Sequence, residues 1–324
     1  MTVPLISVLM PVYNARETLT EAARCILKQT LGDFELIMVD DGSSDDSRAV
    51  IEDLAWEDSR IRTVFQENHG VGGALNRALD LARGKYLARM DADDLTPPTR
   101  FAEQVEFLDK HPEITVVGGW HRTFGSGEPR VTPTPTESAH INTVLIFRNP
   151  ISHPTVMMRH DAFRDYGWRY TCARRFPEDY DLWVTITEHH RIVNLPGVYL
   201  EYRIWPGSIC QQRWPEFEDH QVAIQCRLLG RLGLAVSAEE RRIHQALAFD
   251  QIPAEEVFLR AAHGWLRRIL EQNQQAQRFE ALALIRTLTG RYVALLKHAR
   301  RWGAGLTNNC LIRRSLPMSC HRHW

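Results

Sequence analysis

Apolar runs alternate with amphipathic segments along the first 120 residues of the chain. Five of these runs are short and apolar enough to be buried strands, namely 5–12, 34–39, 61–65, 86–90 and 114–117. Between them, apolar residues recur three and four positions apart, as in helices that pack one face on a sheet. Strands that alternate with helices form right-handed βαβ units. We therefore predict an α/β fold with a mostly parallel central sheet.

The pattern changes after this region. It loosens from about 126 to 149, and further short strands are predicted at 155–158 and 198–203. After about residue 216, helical spacing continues and predicts helices over 217–232, 238–249, 254–272 and 278–298. We predict an α/β domain over 1–215 and a helical C-terminal appendage over 216–324. The predicted packing residues of the appendage are Trp265, Leu266, Ile269, Leu270, Leu282, Ile285 and Leu288.

Local signals predict where several helices begin. Asn14, followed three residues later by Glu17, resembles a capping box at the start of the first helix. The glycines of 68–73 predict a loop, and a helix is expected over 74–82. Pro177 precedes a segment that predicts another helix start.

Polar turns follow three of the predicted strands. They are Tyr13-Asn14, Asp40-Asp41-Gly42-Ser43 and Asp91-Ala92-Asp93. Each of these turns alone is ordinary, because Asn, Asp, Gly and Ser are common turn residues. Ligands of parallel sheets, however, bind beyond the carboxyl ends of the strands, where all three turns are expected. Their convergence indicates a binding site.

The third turn is the most acidic, since it holds Asp91, Asp93 and Asp94 within four residues. Carboxylates this close together repel one another unless a cation or water lies among them. Their oxygens suit a hard divalent ion, so we predict a Mn2+ or Mg2+ cofactor. A solvated acidic turn is the alternative for an isolated motif of this kind.

Composition and charge narrow the function classes. The formal net charge of −1 gives no general attraction to nucleic acid, and no apolar run is long enough to cross a bilayer. Residues 1–5 lack a basic secretory signal, and the six cysteines are scattered without metal or disulfide spacing. We therefore predict a cytoplasmic protein.

The C-terminal tail is locally basic and has two interpretations. Its charged and apolar residues are Lys297, Arg300, Arg301, Trp302, Leu311, Arg313 and Arg314. One interpretation is peripheral contact with the inner face of an anionic membrane, and the other is a solvated basic surface. Both remain open.

Other nucleotide and phosphate chemistries fit the motifs poorly. The loop 70–75 lacks the third glycine of a dinucleotide motif, because Leu75 stands there, and the chain has no P-loop motif. A phosphatase nucleophile at the end of a strand is a rival, but Leu95 occupies the position expected for Thr or Val. A metal-binding turn with a later carboxylate suits sugar transfer from a nucleoside diphosphate. There, the metal offsets leaving-group charge and the second acid deprotonates the acceptor hydroxyl.

With these motifs in order, residues 4–208 strongly resemble the family 2 glycosyltransferases. The matching segments are 7–14, 39–43, 68–70, 88–94 and 177–181. The resemblance implies a GT-A fold and an inverting, nucleotide-sugar-dependent enzyme. It also implies a glycan or lipid-linked acceptor. For this chain we expect a UDP-linked donor, because a carboxylate at Asp41 suits the uracil ring.

The resemblance also assigns roles to individual residues. Nucleotide-sugar contacts are expected from Pro11, Tyr13, Glu17, Asp41, Asn76, Asp91 and Asp93. The expected metal ligands are Asp93 and Asp91, and the expected catalytic pair is Asp179, as the general base, with Glu178 beside it. Relatives carry Arg-Asn where this chain has Leu75-Asn76, so Arg77 or Arg89 is expected to replace that arginine.

Several alternatives stay open at this point. Asp179 is alternatively a charge that complements the dipole at a helix N-terminus. Arg203 is expected either to contact the diphosphate or to face water. His153 is expected to be structural or to line the acceptor site. The main functional alternative is a non-catalytic nucleotide-sugar-binding or scaffold protein. The sugar and the acceptor are not specified, and assembly of envelope polysaccharide or lipopolysaccharide is inferred from the resemblance alone.

Overall fold

The computed structural model describes residues 3–173, 176–205, 215–253 and 255–301. The chain folds into two compact units. Unit 1 comprises 1–141 and 149–221, and unit 2 comprises 142–148 and 222–324. The segment 142–148 therefore packs with the C-terminal helices, although it lies far from them in sequence. The basic tail after residue 301 lies outside the described residues.

Unit 1 is built on an eight-stranded sheet. Its strands are β1 Ile6–Val12, β2 Phe34–Asp41, β3 Ile61–Gln66, β4 Tyr86–Arg89, β5 Ile114–Gly125, β6 Val131–Thr132, β7 Met157–Arg159 and β8 Arg191–Ile204. The spatial order is β3-β2-β1-β4-β7-β5-β6, and β8 pairs with β5. The four neighbours β3, β2, β1 and β4 are parallel. The α/β fold with a mostly parallel sheet is thus confirmed.

In the second half of the sheet, the sequence pattern located parts of β5, β7 and β8 but not their full lengths or directions. β7 runs antiparallel to both β4 and β5, while the long β8 runs parallel to β5. β5 continues to Gly125 and does not end at 117 as predicted, because β8 covers its distal half. Strand pairing over long sequence separations decides these features, and periodicity does not report it.

Helices flank the strands of this unit. They are α1 Leu19–Leu27, α2 Ser47–Glu57, α3 Gly70–Leu81, α4 Arg100–Lys110, a 3-10 turn His153–Thr155, α6 His160–Tyr166 and α7 Glu178–Ile186. The helix α5 Ser138–Val144 begins in unit 1 and ends in unit 2. The predicted loop at 68–73 is wrong over 70–73, since α3 begins at Gly70. Gly72 is buried there, and a Cβ at this position would lie 2.5 Å from the Thr171 carbonyl oxygen. Close packing, not chain flexibility, accounts for this glycine.

The predicted capping box at Asn14 is also wrong. The first helix starts at Leu19 after Thr18, and no side chain caps it. Asn14 instead adopts a left-handed backbone conformation with φ 49°, which Asn tolerates better than most residues. Its Oδ1 accepts a hydrogen bond from the Ser44 N–H at 2.8 Å. The turn after β1 is therefore tied to the turn after β2.

A buried carboxylate stabilises the amino-terminal edge of the sheet. Glu35 accepts hydrogen bonds from Ser7 Oγ at 2.6 Å, Arg62 Nη1 at 2.8 Å and Arg83 Nη2 at 2.7 Å. Burial alone would raise the pKa of Glu35, but these donors lower it below its ordinary value. Ser7 and Glu35 are partners in the β1–β2 register, near the start of each strand. This cluster is structural and lies at the edge opposite the polar turns.

The described residues after 216 are mainly helical, which confirms the helices predicted there. The chain of unit 2 includes most of α8 Pro215–Arg231, followed by α9 Ala238–Ala248, α10 Glu256–Ala276 and α11 Ala281–Arg301. Trp265, Leu266, Ile269 and Leu288 are buried as expected, whereas Leu282 is 70% exposed and does not pack. None of the described helices is both long enough and apolar enough to span a membrane.

Candidate active site

The sheet register brings two of the polar turns side by side. Val12 pairs with Asp40, so Tyr13 and Asp41 leave neighbouring parallel strands at the same edge. β4 adjoins β1 on its other side and runs in the same direction. The acidic turn that follows β4 therefore lies at this edge too, as the sequence predicted.

The three carboxylates of the acidic turn converge. One oxygen from each of Asp91, Asp93 and Asp94 lies within 4.8 Å of the others. Asp94 is fully buried, and its Oδ2 has no hydrogen-bond partner within the described part of the chain. Burial and then the neighbouring Asp91 raise the pKa of Asp93, and the same causes raise the pKa of Asp94 to about 8. A divalent cation is the partner that such a set of hard oxygens fits.

The end of β8 holds the acidic turn in place. The Arg203 backbone N–H donates to Asp94 Oδ1 at 2.8 Å, and its Nε donates to the Asp93 carbonyl oxygen at 2.7 Å. Trp205 Nε1 lies 3.4 Å from Asp93 Oδ2. Arg203 therefore supports the turn and does not simply face water. Nothing local in the sequence reveals these contacts, because more than a hundred residues separate the two segments.

A buried arginine lies behind the turn. Arg89, the last residue of β4, is 4% exposed and forms an ion pair with Asp91. Its Nε has no hydrogen-bond partner among the described residues. The same guanidinium interacts electrostatically with Glu178 and Asp179. The structure thus brings the acidic turn and the predicted catalytic pair into one electrostatic cluster around Arg89.

The predicted catalytic pair lies in the first turn of α7. Burial raises the pKa of Asp179 to about 6, and burial followed by the Asp179 charge raises the pKa of Glu178 to about 8. Asp179 Oδ1 accepts the Tyr180 N–H at 2.7 Å, and its Oδ2 accepts Asn149 Nδ2 at 2.7 Å. A plain helix-end charge would be exposed and unshifted, so these perturbed carboxyls favour a functional pair.

His153 lies beside this pair in the buried interior. Its Nε2 is 3.1 Å from the Tyr170 hydroxyl, and its Nδ1 is 4.0 Å from Glu178 Oε1. Burial and the positive charge of Arg89 lower the pKa of His153 well below its ordinary value. The imidazole is therefore neutral near pH 7 and serves as part of the packed wall.

The residues predicted to bind the nucleotide differ in how far their side chains are exposed to solvent. The Tyr13 side chain is 55% exposed, Glu17 is exposed and Pro11 is half-buried. Asp41 is buried, and its Oδ1 accepts hydrogen bonds from Gln66 Nε2 at 2.7 Å and from the His69 N–H at 2.9 Å. These two donors fix the orientation of the Asp41 carboxylate at the end of β2.

Asn76 is engaged within the protein. Its Nδ2 donates to the Tyr170 carbonyl oxygen at 2.8 Å, while its Oδ1 accepts the Tyr170 N–H at 2.9 Å. The amide thereby ties α3 to the segment that leads into α7. Arg77 is exposed on α3.

Comparisons with known proteins point to one family. A family model described as glycosyl transferase family 2 matches residues 7–167. The amylovoran biosynthesis glycosyltransferase AmsE of Erwinia amylovora is 30% identical over 214 residues, which make up 64% of this chain and 80% of that protein. Across four curated relatives including AmsE, the aligned part covers between 66% and 80% of their length.

Two solved structures share the fold. The structure of S. aureus TarS 1–349 in complex with UDP-GlcNAc matches with a TM-score of 0.61 and 17% identity, covering 91% of each chain. The mannosyltransferase PcManGT from Pyrobaculum calidifontis, in complex with GDP-Man and Mn2+, matches with a TM-score of 0.54 and 17% identity. That match covers 93% of this chain and 88% of PcManGT.

Proposed function

The chain belongs to glycosyl transferase family 2, and from that premise we propose that it is an inverting, metal-dependent transferase that uses a UDP-sugar. The observation that carries this proposal is the cluster around Arg89. It combines a three-carboxylate turn with a pair of carboxyls whose pKa values are raised. One group suits a cation and a diphosphate, and the other suits proton transfer from an acceptor hydroxyl.

Asp93 and Asp91 are the proposed metal ligands, with Asp94 as a third carboxylate in the same cluster. The fit rests on the converging oxygens and on the buried Asp94 Oδ2 that lacks a partner among the described residues. When bound, Mn2+ or Mg2+ would offset the negative charge that develops on the diphosphate leaving group. Arg203 keeps the turn in place for this role through its contacts with Asp93 and Asp94.

Asp179 is the proposed general base. With a pKa of about 6 it is largely ionised at neutral pH, yet basic enough to accept a proton efficiently. The acceptor hydroxyl loses its proton to Asp179 as its oxygen bonds to the sugar carbon. The bond from that carbon to the diphosphate breaks on the opposite face, so the configuration inverts. Glu178, with a pKa of about 8, stays mostly protonated beside it.

The donor nucleotide is proposed to bind over the ends of β1 and β2. Pro11 and the exposed Tyr13 ring offer an apolar surface for the base, with Glu17 nearby. Asp41 is proposed to accept a uracil N–H, which is the reason for preferring UDP. TarS was solved with UDP-GlcNAc, which supports a UDP-linked donor, whereas PcManGT was solved with GDP-Man. Asn76 is proposed to support the nucleotide-sugar site indirectly, because its amide holds the segment around Tyr170.

The acceptor is proposed to be a glycan or a lipid-linked glycan of an extracellular or envelope polysaccharide. The support is the role of AmsE in amylovoran biosynthesis, as its name states. A peripheral membrane contact by the tail would suit a lipid-linked acceptor.

The proposal is tested by donor binding and turnover. A panel of UDP- and GDP-sugars with Mn2+ should contain one UDP-sugar that raises the melting temperature by mass action and releases UDP. Asp179→Asn should keep that thermal shift but lose at least ~100-fold in kcat, the usual minimum for a general base.

Asp161→Asn is the matched control. Asp161 also occupies the first turn of a helix, and its Oδ1 accepts the next residue's N–H at 2.8 Å, but its side chain is exposed. Its substitution should leave turnover unchanged. Binding of a nucleotide sugar without any turnover would favour the non-catalytic binding protein, and no binding to any donor would refute both.

A further inference from the structure

Asn149 contacts the proposed base directly, although neither its sequence context nor the family comparison singles it out. Its Nδ2 lies 2.7 Å from Asp179 Oδ2. We propose that Asn149 is the positioning residue for Asp179 and fixes its carboxylate for proton transfer. This inference rests on the proposed function.

The Asn149 amide is itself held in one orientation. Its Oδ1 accepts the Ile151 N–H at 3.0 Å, which leaves the Nδ2 end facing Asp179. Ile151 is 3% exposed and Pro150 is buried, so the short segment carrying the amide is packed in place. Asn194 Nδ2 adds a long hydrogen bond of 3.4 Å to the Pro150 carbonyl oxygen. A side chain fixed at both ends is suited to orient a catalytic group.

The two oxygens of Asp179 are held from different sides. The Tyr180 N–H binds Oδ1 and Asn149 binds Oδ2. The first contact comes from the next residue of the same helix turn, so it cannot set the carboxylate relative to the rest of the site. Asn149 belongs to a different segment, 30 residues away in sequence, and provides that constraint.

Four charged or titratable groups belong to the cluster that contains Asp179. Arg89 at the end of β4 favours the ionised form of Asp179, and Glu178 in the same helix turn interacts with it as a like charge. Tyr170 interacts with both carboxyls, and the neutral His153 contacts Glu178. The Asn149 hydrogen bond lowers the Asp179 pKa against the effect of burial, so its loss should raise that pKa.

The test measures the Asp179 pKa directly, without relying on activity. Asp carboxyl 13C chemical shifts are titrated by NMR, and the Asp179 signal is assigned by its disappearance in Asp179→Asn. In the unmodified protein the midpoint should lie at about 6. In Asn149→Leu it should rise by about one pH unit, the expected effect of losing one hydrogen bond to a charged group.

Asn149→Asp guards against a folding failure. It keeps the oxygen that accepts the Ile151 N–H but places a second carboxylate against Asp179, so the Asp179 midpoint should rise further than in Asn149→Leu. Asn273→Leu is the control in unit 2. The Asn273 amide is likewise held at both ends, since its Nδ2 donates to the Phe279 carbonyl oxygen at 2.9 Å and its Oδ1 accepts the Phe279 N–H at 2.8 Å. Its loss should lower the melting temperature without moving the Asp179 midpoint.

Kinetics provide the second measurement. With the active UDP-sugar, Asn149→Leu should lower kcat about 10-fold with an unchanged donor KM, and the acidic limb of the pH profile should shift upward with the NMR midpoint. An Asp179 midpoint that is unchanged in both Asn149 variants would overturn the inference. Lack of sugar transfer by the unmodified protein would instead refute the proposed function, so the two failures are distinguishable.

Discussion

At the scale of single residues, Asp94 is the least favourable charge in the site. It is fully buried and its pKa is about 8, against an ordinary value of 3.8. The folded protein therefore holds a proton on Asp94 that the unfolded chain releases near pH 4. The contribution of Asp94 to stability consequently falls as pH rises from about 4 to about 8. A bound divalent cation removes this disadvantage, because it stabilises the ionised form.

Because the Asp94 charge is unfavourable without metal and favourable with it, Asp94→Asn should affect stability in opposite ways in the two conditions. At pH 8 in EDTA the variant should melt about 3 °C or more above the unmodified protein, since no charge remains at position 94. With Mn2+ added, the unmodified protein should gain more than the variant does. Differential scanning fluorimetry at pH 6 and pH 8 checks both effects. A lower melting temperature of the variant in EDTA at pH 8, or an equal gain with Mn2+, would contradict the argument.

The residues that the sequence identified lie close together along the chain. Asp91, Asp93 and Asp94 share one turn, and Glu178 and Asp179 are adjacent, so a local motif was sufficient to nominate them as candidates. The contacts of Arg203 with Asp93 and Asp94, and that of Asn149 with Asp179, were not predicted, because each of them joins segments that are far apart in sequence. Such contacts depend on strand pairing and on segment packing, which residue patterns do not encode locally.

At the scale of elements, α3 packs closely against the segment 170–172, which precedes α7 in the chain. Gly72 permits this approach, because a Cβ there would lie 2.5 Å from the Thr171 carbonyl oxygen. Gly72→Ala should therefore destabilise the protein by about 1–3 kcal/mol through overpacking, in spite of the better helix propensity of alanine. It should also lower kcat, since the displaced segment leads into the helix that carries Asp179.

Gly264→Ala is the matched control for that substitution. Gly264 is also helical, lies within α10, and would have nothing within 4 Å of an added Cβ. Alanine there should stabilise the protein by up to about 1 kcal/mol, through helix propensity alone. Urea unfolding of both variants measures the difference. If both substitutions stabilise the protein, the backbone at Thr171 moves away from the added Cβ without a loss of stability, which would contradict the prediction.

The predicted elements were most accurate where burial on both faces produces continuous apolar runs. β1, β2 and β4 were found for that reason, and the polar turns after them located the site edge. The start of α3 was missed because glycine favours loops locally, and tertiary packing overrides that preference at Gly72. The direction of β7 was missed because this strand has only three residues, and its sequence does not indicate which strands it pairs with.

At the scale of the whole molecule, the two units do not coincide with two continuous stretches of chain. The division proposed from the sequence, 1–215 and 216–324, remains a proposal for the catalytic and helical regions. Within unit 2, however, the segment 142–148 is held by the C-terminal helices. Gln225 Nε2 donates to the Phe147 carbonyl oxygen at 2.9 Å, and His244 Nε2 lies 2.9 Å from the Ile146 carbonyl oxygen. The rings of Phe147 and His244 stack at 4.8 Å.

This arrangement predicts that residues 1–221 do not form a stable protein alone. Removal of the C-terminal helices would uncover four side chains that are at most 6% exposed, namely Val144, Leu145, Ile146 and Phe147. At about 1.5–3 kcal/mol for each side chain that becomes fully exposed, the lost burial has an upper bound of roughly 6–12 kcal/mol, comparable to the stability of an entire domain. The truncated chain should aggregate or bind the dye ANS strongly. The same truncation with Leu145→Ser, Ile146→Ser and Phe147→Ser should be more soluble, because its exposed segment is less apolar. If 1–221 is instead monomeric by light scattering and unfolds as cooperatively as the full chain, the C-terminal helices are not needed to cover this segment.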